Sequence, residues 1–190
     1  MSDQKSILNR RPSQAELDAV SLSGRDLSGV VLRKVSLEGR DLRGCTFADG
    51  VLNGVNFDGA QLQDSNFAGA ELDGSRFVGS DLTEANLEGV RGEGVDFSQA
   101  RLGGASLKES DLGNVRFTDA LLDGALLEGA RWVQAEAEGL SAREIRARGW
   151  IVDDARMHGA KLDGADLVGA VFQFVDLENA SFSGSDFRGA

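Results

Sequence analysis

Histidine, cysteine and the acidic residues are the side chains in this sequence that could perform chemistry. The chain has one histidine, His158, and one cysteine, Cys45. Nucleophilic catalysis needs a nucleophile, a base and an orienting group within hydrogen-bond reach of one another, and neither residue has such a set nearby in the sequence. No Cys/His cluster has zinc spacing, and no Gly-rich stretch continues into the Lys-Ser or Lys-Thr of a phosphate-binding loop. We therefore expect no catalytic, cofactor or metal site, and we predict that the protein is not an enzyme.

The excess of acidic residues restricts the kinds of partner that the protein can have. Asp and Glu number 31 against 20 Lys and Arg, which gives a formal net charge of −11. This charge disfavours direct binding to nucleic acid or to an anionic membrane, and it favours a basic protein partner. The sequence has neither an apolar run of 18 residues nor an apolar segment after Met1 that could act as a secretory signal. We expect a cytoplasmic protein.

The elements that must position these side chains follow a period of five residues. From Leu17 to Phe187 we call every fifth residue a central position, and 31 of these 35 positions hold Leu, Phe, Val, Met or Trp. A small residue usually lies two positions earlier, and 21 of the 25 glycines lie two positions later. The period fits neither an α-helix nor a β-strand, and such an unbroken repeat is typical of a solenoid.

Individual repeat units carry a closer resemblance. Examples are Glu-Ala-Asn-Leu at 84–87, Gly-Ala-Asp-Leu at 164–167 and Gly-Ser-Asp-Phe at 184–187. Over nearly its whole length the chain resembles the pentapeptide-repeat family. That resemblance implies an all-β fold, a right-handed quadrilateral β-helix with four pentapeptides per coil, in which the central residue and the preceding small residue point inward. It is specific for the fold and poorly specific for the function.

Recurrence at twenty residues supports the same coil length independently. Phe57, Phe77, Phe97 and Phe117 are spaced by twenty, so in such a coil their rings would stack as one interior ladder. With coils about 4.8 Å apart, residues 13–190 would form about nine coils and a rod on the order of 40 Å long. A matching leucine ladder is expected from Leu22, Leu42, Leu62, Leu82, Leu102 and Leu122.

Two short stretches depart from the regular repeat near the start and the middle of the chain. Residues 1–12 form a polar tail, and the spacing of Ser13 and Glu16 is that of a capping box, which favours a short helix within residues 13–20. The other interpretation is that Leu17 already belongs to the repeat. Gly92 leaves a central position without a side chain, which predicts a local bend or bulge.

The longest departure is a stretch in which three successive central positions hold alanine. Ser141 and Glu144 again have capping-box spacing, and Gly149 could end a helix. We predict that the β-helix of residues 13–190 is interrupted around 133–151 by a loop with a short helix near 141–148. The alternative is an ordinary coil with a small interior, which the unbroken repeat supports.

Charge is distributed unevenly over the four sides of such a coil. The side that contains Phe57 and Phe77 carries ten acids and three bases, whereas each other side has a net charge of −2. We call this side the acidic face. An acidic surface also keeps repeat proteins soluble, which is the simpler explanation. The candidate partner-binding residues of the acidic face are Glu38, Asp58, Asp96, Asp119, Glu136, Glu138, Asp176 and Glu178.

Two further groups of residues are candidate contacts. Arg143, Arg146 and Arg148 lie in the predicted loop, and loops on a rigid scaffold often carry binding residues. The last coil is expected to expose unpaired backbone groups and apolar side chains, which predicts a homodimer through the C-terminal coil. The candidate contacts at this end are Phe174, Phe182 and Phe187.

These features lead to two functional hypotheses. The first is a non-catalytic interaction scaffold whose acidic face docks into a basic groove. The family resemblance implies one such role, since some members resemble B-form DNA in width and charge, bind DNA gyrase or topoisomerase IV, and protect the enzyme from quinolones. The alternative is a structural adaptor or effector-associated accessory protein of a bacterial secretion system, with the outward Val168, Val171 and Phe174 as its contact.

Overall fold

The described part of the chain is a parallel β-solenoid with almost no helix. The structure is a computed structural model that describes residues 13–190, and the predicted polar tail, residues 1–12, lies outside the described residues. Parallel bridges join residues twenty positions apart, from Asp26 and Thr46 to Asp166 and Asp186. Four such ladders follow one another around each coil, so the coil has four sides. The predicted β-helix is confirmed.

Continuous strands form on one side of this coil. They make one parallel sheet of five strands in chain order, and each strand pairs with the next at a register of twenty residues, as Gly92 does with Leu112. The strands occupy five successive layers, so the count of nine coils stays a prediction. The strands are β1 (Arg91–Glu93), β2 (Asp111–Gly113), β3 (Arg131–Val133), β4 (Ile151–Asp153) and β5 (Val171–Gln173).

Backbone hydrogen bonds between coils explain the constant register. The N–H of Phe77 donates to the carbonyl of Asp96 at 2.7 Å, and the N–H of Asp96 donates back to the carbonyl of Ser75 at 3.0 Å. At each corner the chain turns through a residue with positive φ, such as Gly59 at 64°. Glycine suits these corners because it lacks the Cβ that makes a left-handed conformation unfavourable.

The interior is a stack of large apolar side chains, as the twenty-residue recurrence predicts. The ring centroids of Phe57 and Phe77 lie 4.7 Å apart, those of Phe77 and Phe97 4.8 Å, and those of Phe97 and Phe117 5.2 Å. The planes are nearly parallel, and all four rings are fully buried. The six leucines of the predicted ladder are also buried. Both predicted ladders are therefore confirmed.

Residues 141–148 continue the coil and contain no helix. Ser141 bridges Lys161, and Arg146 bridges Asp166, with the same turns between them as elsewhere in the rod. The prediction of a helix here is wrong, because a helix would give up these bridges and the burial of the inward Ile145. The alternative interpretation, an ordinary coil with a small interior, describes the structure.

Two tryptophans keep this coil packed despite its alanines. Ala137 follows Phe117 in the phenylalanine stack, and the indole of Trp132 lies almost flat on the Phe117 ring, with centroids 4.2 Å apart. Trp150 occupies a position that usually holds a small residue. Its indole packs edge-on against that of Trp132, with ring centroids 4.9 Å apart. Both indoles are fully buried, so large side chains from neighbouring sides fill the space that the alanines leave.

Gly92 is also part of a regular layer. It lies within β1 and pairs with Leu112. A Cβ placed on Gly92 would lie 2.6 Å from Cγ2 of Val95 and 3.3 Å from Cβ of Leu72. The side chain of Val95 thus already occupies the space at this central position, and the predicted bend or bulge is wrong.

The single helix of the described chain lies at its start. The helix α1 spans Gln14–Asp18 and is capped by Ser13, whose hydroxyl accepts from the N–H of Glu16 at 3.3 Å. The Glu16 carboxylate in turn accepts from the N–H of Ser13 at 2.8 Å, which completes the capping box. Leu17 is buried. The helix interpretation is confirmed, and Leu17 joins the core from this helix, while the described bridges between coils begin at Asp26.

Candidate functional site

The candidate residues of the acidic face lie in register on one side of the rod. Of the eight, Asp58 and Glu136 are partly buried and Asp96 is buried at 8% exposure. The other five are exposed: Glu38, Asp119, Glu138, Asp176 and Glu178. One ladder on this side contains Arg76, Asp96, Arg116, Glu136, Arg156 and Asp176 in successive coils.

Opposite charges alternate along this ladder, and those from Arg76 to Glu136 pair with one another. Oδ2 of Asp96 lies 4.0 Å from Nη1 of Arg76 and 3.8 Å from Nη1 of Arg116. Nε of Arg116 then donates to Glu136 at 3.1 Å. Asp96 is therefore a structural partner of two arginines rather than a free acid. The pairing is visible only when each register position is followed from coil to coil, and our counting of charges by side missed it.

The exposed candidate acids that pair with no arginine lie on both sides of Asp96: Glu38 before it, and Asp119, Glu138 and Asp176 after it. Near the middle, Asp58 is held by Arg76, with 2.8 Å between Oδ2 and Nη2, and it accepts from the N–H of Val78 at 2.9 Å. In the C-terminal half, His158 Nδ1 lies 4.0 Å from Oε2 of Glu178, an ion pair only when the imidazole is protonated. Glu138 lies one coil before His158 on the same side. Negative charge available to a partner thus lies on both sides of Asp96, and most of it in the C-terminal half.

The three candidate arginines lie on regular coils, so the prediction that they lie on a loop is wrong. Nη1 of Arg143 lies 3.6 Å from Oδ2 of Asp123. Nε of Arg148 donates to Asp166 at 2.6 Å, and this hydrogen bond lowers the pKa of the Asp166 carboxyl. Exposed ion pairs of this kind contribute little stability individually. Arg146 is exposed and follows the same regular coil.

The C-terminal end exposes apolar side chains. Phe182 is partly buried and packs against Phe187 with 5.3 Å between centroids, while Phe187 is 42% exposed. Phe174 is 79% exposed. On β4 and β5, the paired Ile151 and Val171 are 38% and 47% exposed. We call Ile151, Val171 and Phe174 the apolar patch.

A surface groove, which we call the corner groove, lies where the sheet side meets the acidic face. Phe174 is the corner residue that follows β5, and its φ is 52°. Asp154 and Gln134 hold the same corner in the two preceding coils, with φ of 52° and 54°, and Nε2 of Gln134 donates to Asp154 at 3.1 Å. The residues that line the groove include Gln134, Glu136, Asp154, Arg156, Phe174 and Asp176.

The single cysteine and the single histidine were the first residues considered for catalysis. Cys45 is buried, its thiol donates to the carbonyl of Leu22 at 2.9 Å, and burial raises the pKa of the thiol. His158 is exposed. Within residues 13–190, no group of three or more His, Cys, Asp and Glu side chains is placed to hold a metal ion. No helix in that part of the chain is long and apolar enough to cross a membrane.

Comparison with known families decides the classification. A family model for pentapeptide repeats matches residues 13–49, 51–89, 93–129 and 153–190, with eight copies. The chain belongs to the pentapeptide-repeat family. Members of this family are generally non-catalytic structural or interaction proteins. The matched ranges omit residues 130–152, the stretch that contains both tryptophans, although its coil is regular.

Solved structures of pentapeptide-repeat proteins share this fold. One trypsin-treated variant of QnrB1, a plasmid-mediated fluoroquinolone resistance protein, is 20% identical over 88% of this chain and 87% of that chain, with a TM-score of 0.73. A second trypsin-treated QnrB1 variant is 23% identical over 83% and 86% of the two chains, with a TM-score of 0.62. No curated protein sequence matches the chain. Identity this low shows a common fold alone.

Proposed function

We propose that this protein is a non-catalytic interaction scaffold whose acidic face docks into a basic groove on a protein partner. The observation that carries the proposal is the excess of acids on one side, ten against three bases, at fixed register. A solenoid presents such charges at a regular spacing of about 4.8 Å per coil. Because the scaffold is already ordered, little conformational entropy is lost when a partner binds.

DNA gyrase, or topoisomerase IV, is the partner to test first, and a cytoplasmic location is part of the proposal. The fold shared with QnrB1, a fluoroquinolone resistance protein, and the net charge of −11 support this choice. A groove that binds duplex DNA is built to attract closely spaced negative charge. The pairing of Asp96 with Arg76 and Arg116 divides the acidic face into two regions, so we expect contact through the exposed acids on either side of Asp96.

A supercoiling assay tests the choice of partner. Purified gyrase is given relaxed plasmid, ATP and increasing concentrations of this protein, with and without a fluoroquinolone. Without the drug, we expect the protein to alter the supercoiling activity of gyrase. With the drug, we expect the protein to restore that activity. Unchanged supercoiling in both series at micromolar protein would exclude gyrase, and the same assay with topoisomerase IV decides the second enzyme.

The apolar patch favours a second candidate function, a structural adaptor or secretion-associated accessory protein. Val171 and Phe174 are the most exposed of the large apolar side chains described, at 47% and 79%, and exposed apolar patches often mark protein contacts. Affinity purification from the native host with wild type and Phe174→Ser separates the candidates. A partner lost with Phe174→Ser, combined with a silent gyrase assay, would support the adaptor.

A homodimer through the C-terminal coil is also proposed. Phe172, Leu177 and Phe182 are partly buried, whereas central residues in the preceding coils are fully buried, so the last described layer leaves apolar surface that a second copy can cover. We expect light scattering to give twice the chain mass of 20.1 kDa at micromolar concentration, and Phe182→Ser to lower it. A wild-type monomer at high micromolar concentration would contradict the dimer.

A further inference from the structure

We propose that the corner groove binds an arginine side chain of the protein partner, which stacks on the ring of Phe174 and pairs with the carboxylates of Asp154 and Asp176. This proposal rests on the proposed function and specifies the group that the C-terminal part of the acidic face recognises. All three residues line the same groove.

Phe174 has no role in folding that would explain its presence. Its side chain is 79% exposed, so it contributes little to the core. Its backbone has a φ of 52°, at a corner that otherwise holds only glycine or a polar residue, and it is the one apolar residue with positive φ among residues 13–190. A bulky residue in the left-handed region is a genuine outlier. Such conformations tend to be retained where they serve a site.

The charge of the groove favours a cation. Glu136, Asp154 and Asp176 line it with one base, Arg156. Glu136 is already paired with an arginine of the preceding coil. Asp154 accepts one hydrogen bond from an amide, and Asp176 accepts one from the N–H of Glu178 at 3.0 Å. A carboxylate can accept about four hydrogen bonds, so both retain acceptor capacity for an incoming donor.

The combination of a ring and two carboxylates selects arginine over lysine. A guanidinium is planar and can stack on an aromatic face while its edge donates paired hydrogen bonds to a carboxylate. The ammonium of lysine is a compact and strongly hydrated charge that does not stack in this way. The groove therefore recognises an arginine side chain of the partner.

The probe is a Gly/Ser nonapeptide with arginine at its third and sixth positions, compared with its lysine counterpart in ¹H–¹⁵N NMR titrations. We expect shifts concentrated at the amides of residues 152–156 and 172–176. The arginine peptide should bind about threefold tighter, as a cation–π contact at an exposed site gives. Phe174→Leu should remove this preference, and Phe174→Tyr should keep it. Asp154→Asn with Asp176→Asn should weaken binding about fivefold.

The matched control is Asp64→Asn with Glu84→Gln, two exposed acids at another corner with φ of 58° and 59°. These changes remove the same charge and should leave the arginine preference intact. Equal affinity of the two peptides for wild type, shifts spread over the whole acidic face, or a Phe174→Leu titration like that of wild type would overturn the proposal. Gyrase takes no part in this titration, so the two proposals can fail separately. No effect on supercoiling together with a positive titration rejects gyrase as the partner and keeps the arginine site. An effect on supercoiling together with a negative titration rejects the arginine site and keeps gyrase.

Discussion

Phe77 is the residue on which the interior stack can be tested. Its ring lies between Phe57 and Phe97, at 4.7 and 4.8 Å, and is fully buried. Phe77→Ala removes both contacts and leaves a cavity, so we expect the free energy of unfolding to fall by about 3–5 kcal/mol. Urea denaturation measures the loss. The control is Glu88→Ala at an exposed outward position, which should cost less than about 0.5 kcal/mol; equal losses would contradict the register.

Phe174 provides a test in the opposite direction, because replacing this residue should raise the free energy of unfolding. Phe174→Gly relieves a left-handed backbone at φ 52° and removes a side chain that is 79% exposed. We expect thermal denaturation to show a gain of about 1 kcal/mol. Phe174→Ala removes the ring but keeps a Cβ, so it should give no comparable gain. Equal gains for both variants would show that the ring, and not the backbone, is unfavourable.

Individual inward and outward positions could be predicted from the sequence, but the environment of each charge could not. The five-residue period places Phe77 inside and Asp96 outside by position. Asp96 is nevertheless buried, because two arginine side chains from the coils before and after lie against it. Those contacts join residues twenty apart through long flexible side chains, and a count of charges on one side does not include them.

At the scale of single coils, bridges to the neighbouring coils override local helix patterns. Ser141 and Glu144 have the spacing of a capping box, yet the segment stays in the coil. At Ser13 the same pattern does start a helix, α1. The difference is that residues 141–148 lie between two further coils and exchange bridges with both, as Ser141 does with Leu121 and Lys161. A local pattern carries no information about these neighbours.

Gly92 and Val95 provide a test of how a neighbouring side chain fills a central position that has no side chain of its own. A methyl group at Gly92 would lie 2.6 Å from Cγ2 of Val95, so Gly92→Ala should overpack the interior and cost about 1–3 kcal/mol. Val95→Ala removes the obstructing methyl groups. The double variant should therefore lose less stability in urea denaturation than the sum of the two single losses. Additive losses would mean that Val95 does not fill the space at Gly92.

At the scale of the whole molecule, the sequence predicts the solenoid and the acidic side, while the structure divides that side into regions. The net charge of −11 acts at long range, and salt screens it over about 8–10 Å at physiological ionic strength. Arg76 and Arg116 neutralise Asp58, Asp96 and Glu136 of the acidic face. Reversal of Asp96 would place a lysine between these two arginines, so Asp96 is unsuitable for testing binding.

Association kinetics with gyrase test the central claim that the acidic face docks a basic partner. The variant Glu38→Lys, Asp119→Lys, Glu138→Lys reverses three exposed acids of the acidic face. The control Asp64→Lys, Glu84→Lys, Glu144→Lys makes the same charge change at exposed corner positions of another side. We expect surface plasmon resonance to show an association rate about tenfold lower for the first variant and a weaker dependence on salt, with a loss below about threefold for the control. Equal rates for the two variants, or an unchanged rate for the first, would contradict the claim and leave the acidic face as a surface that only keeps the protein soluble.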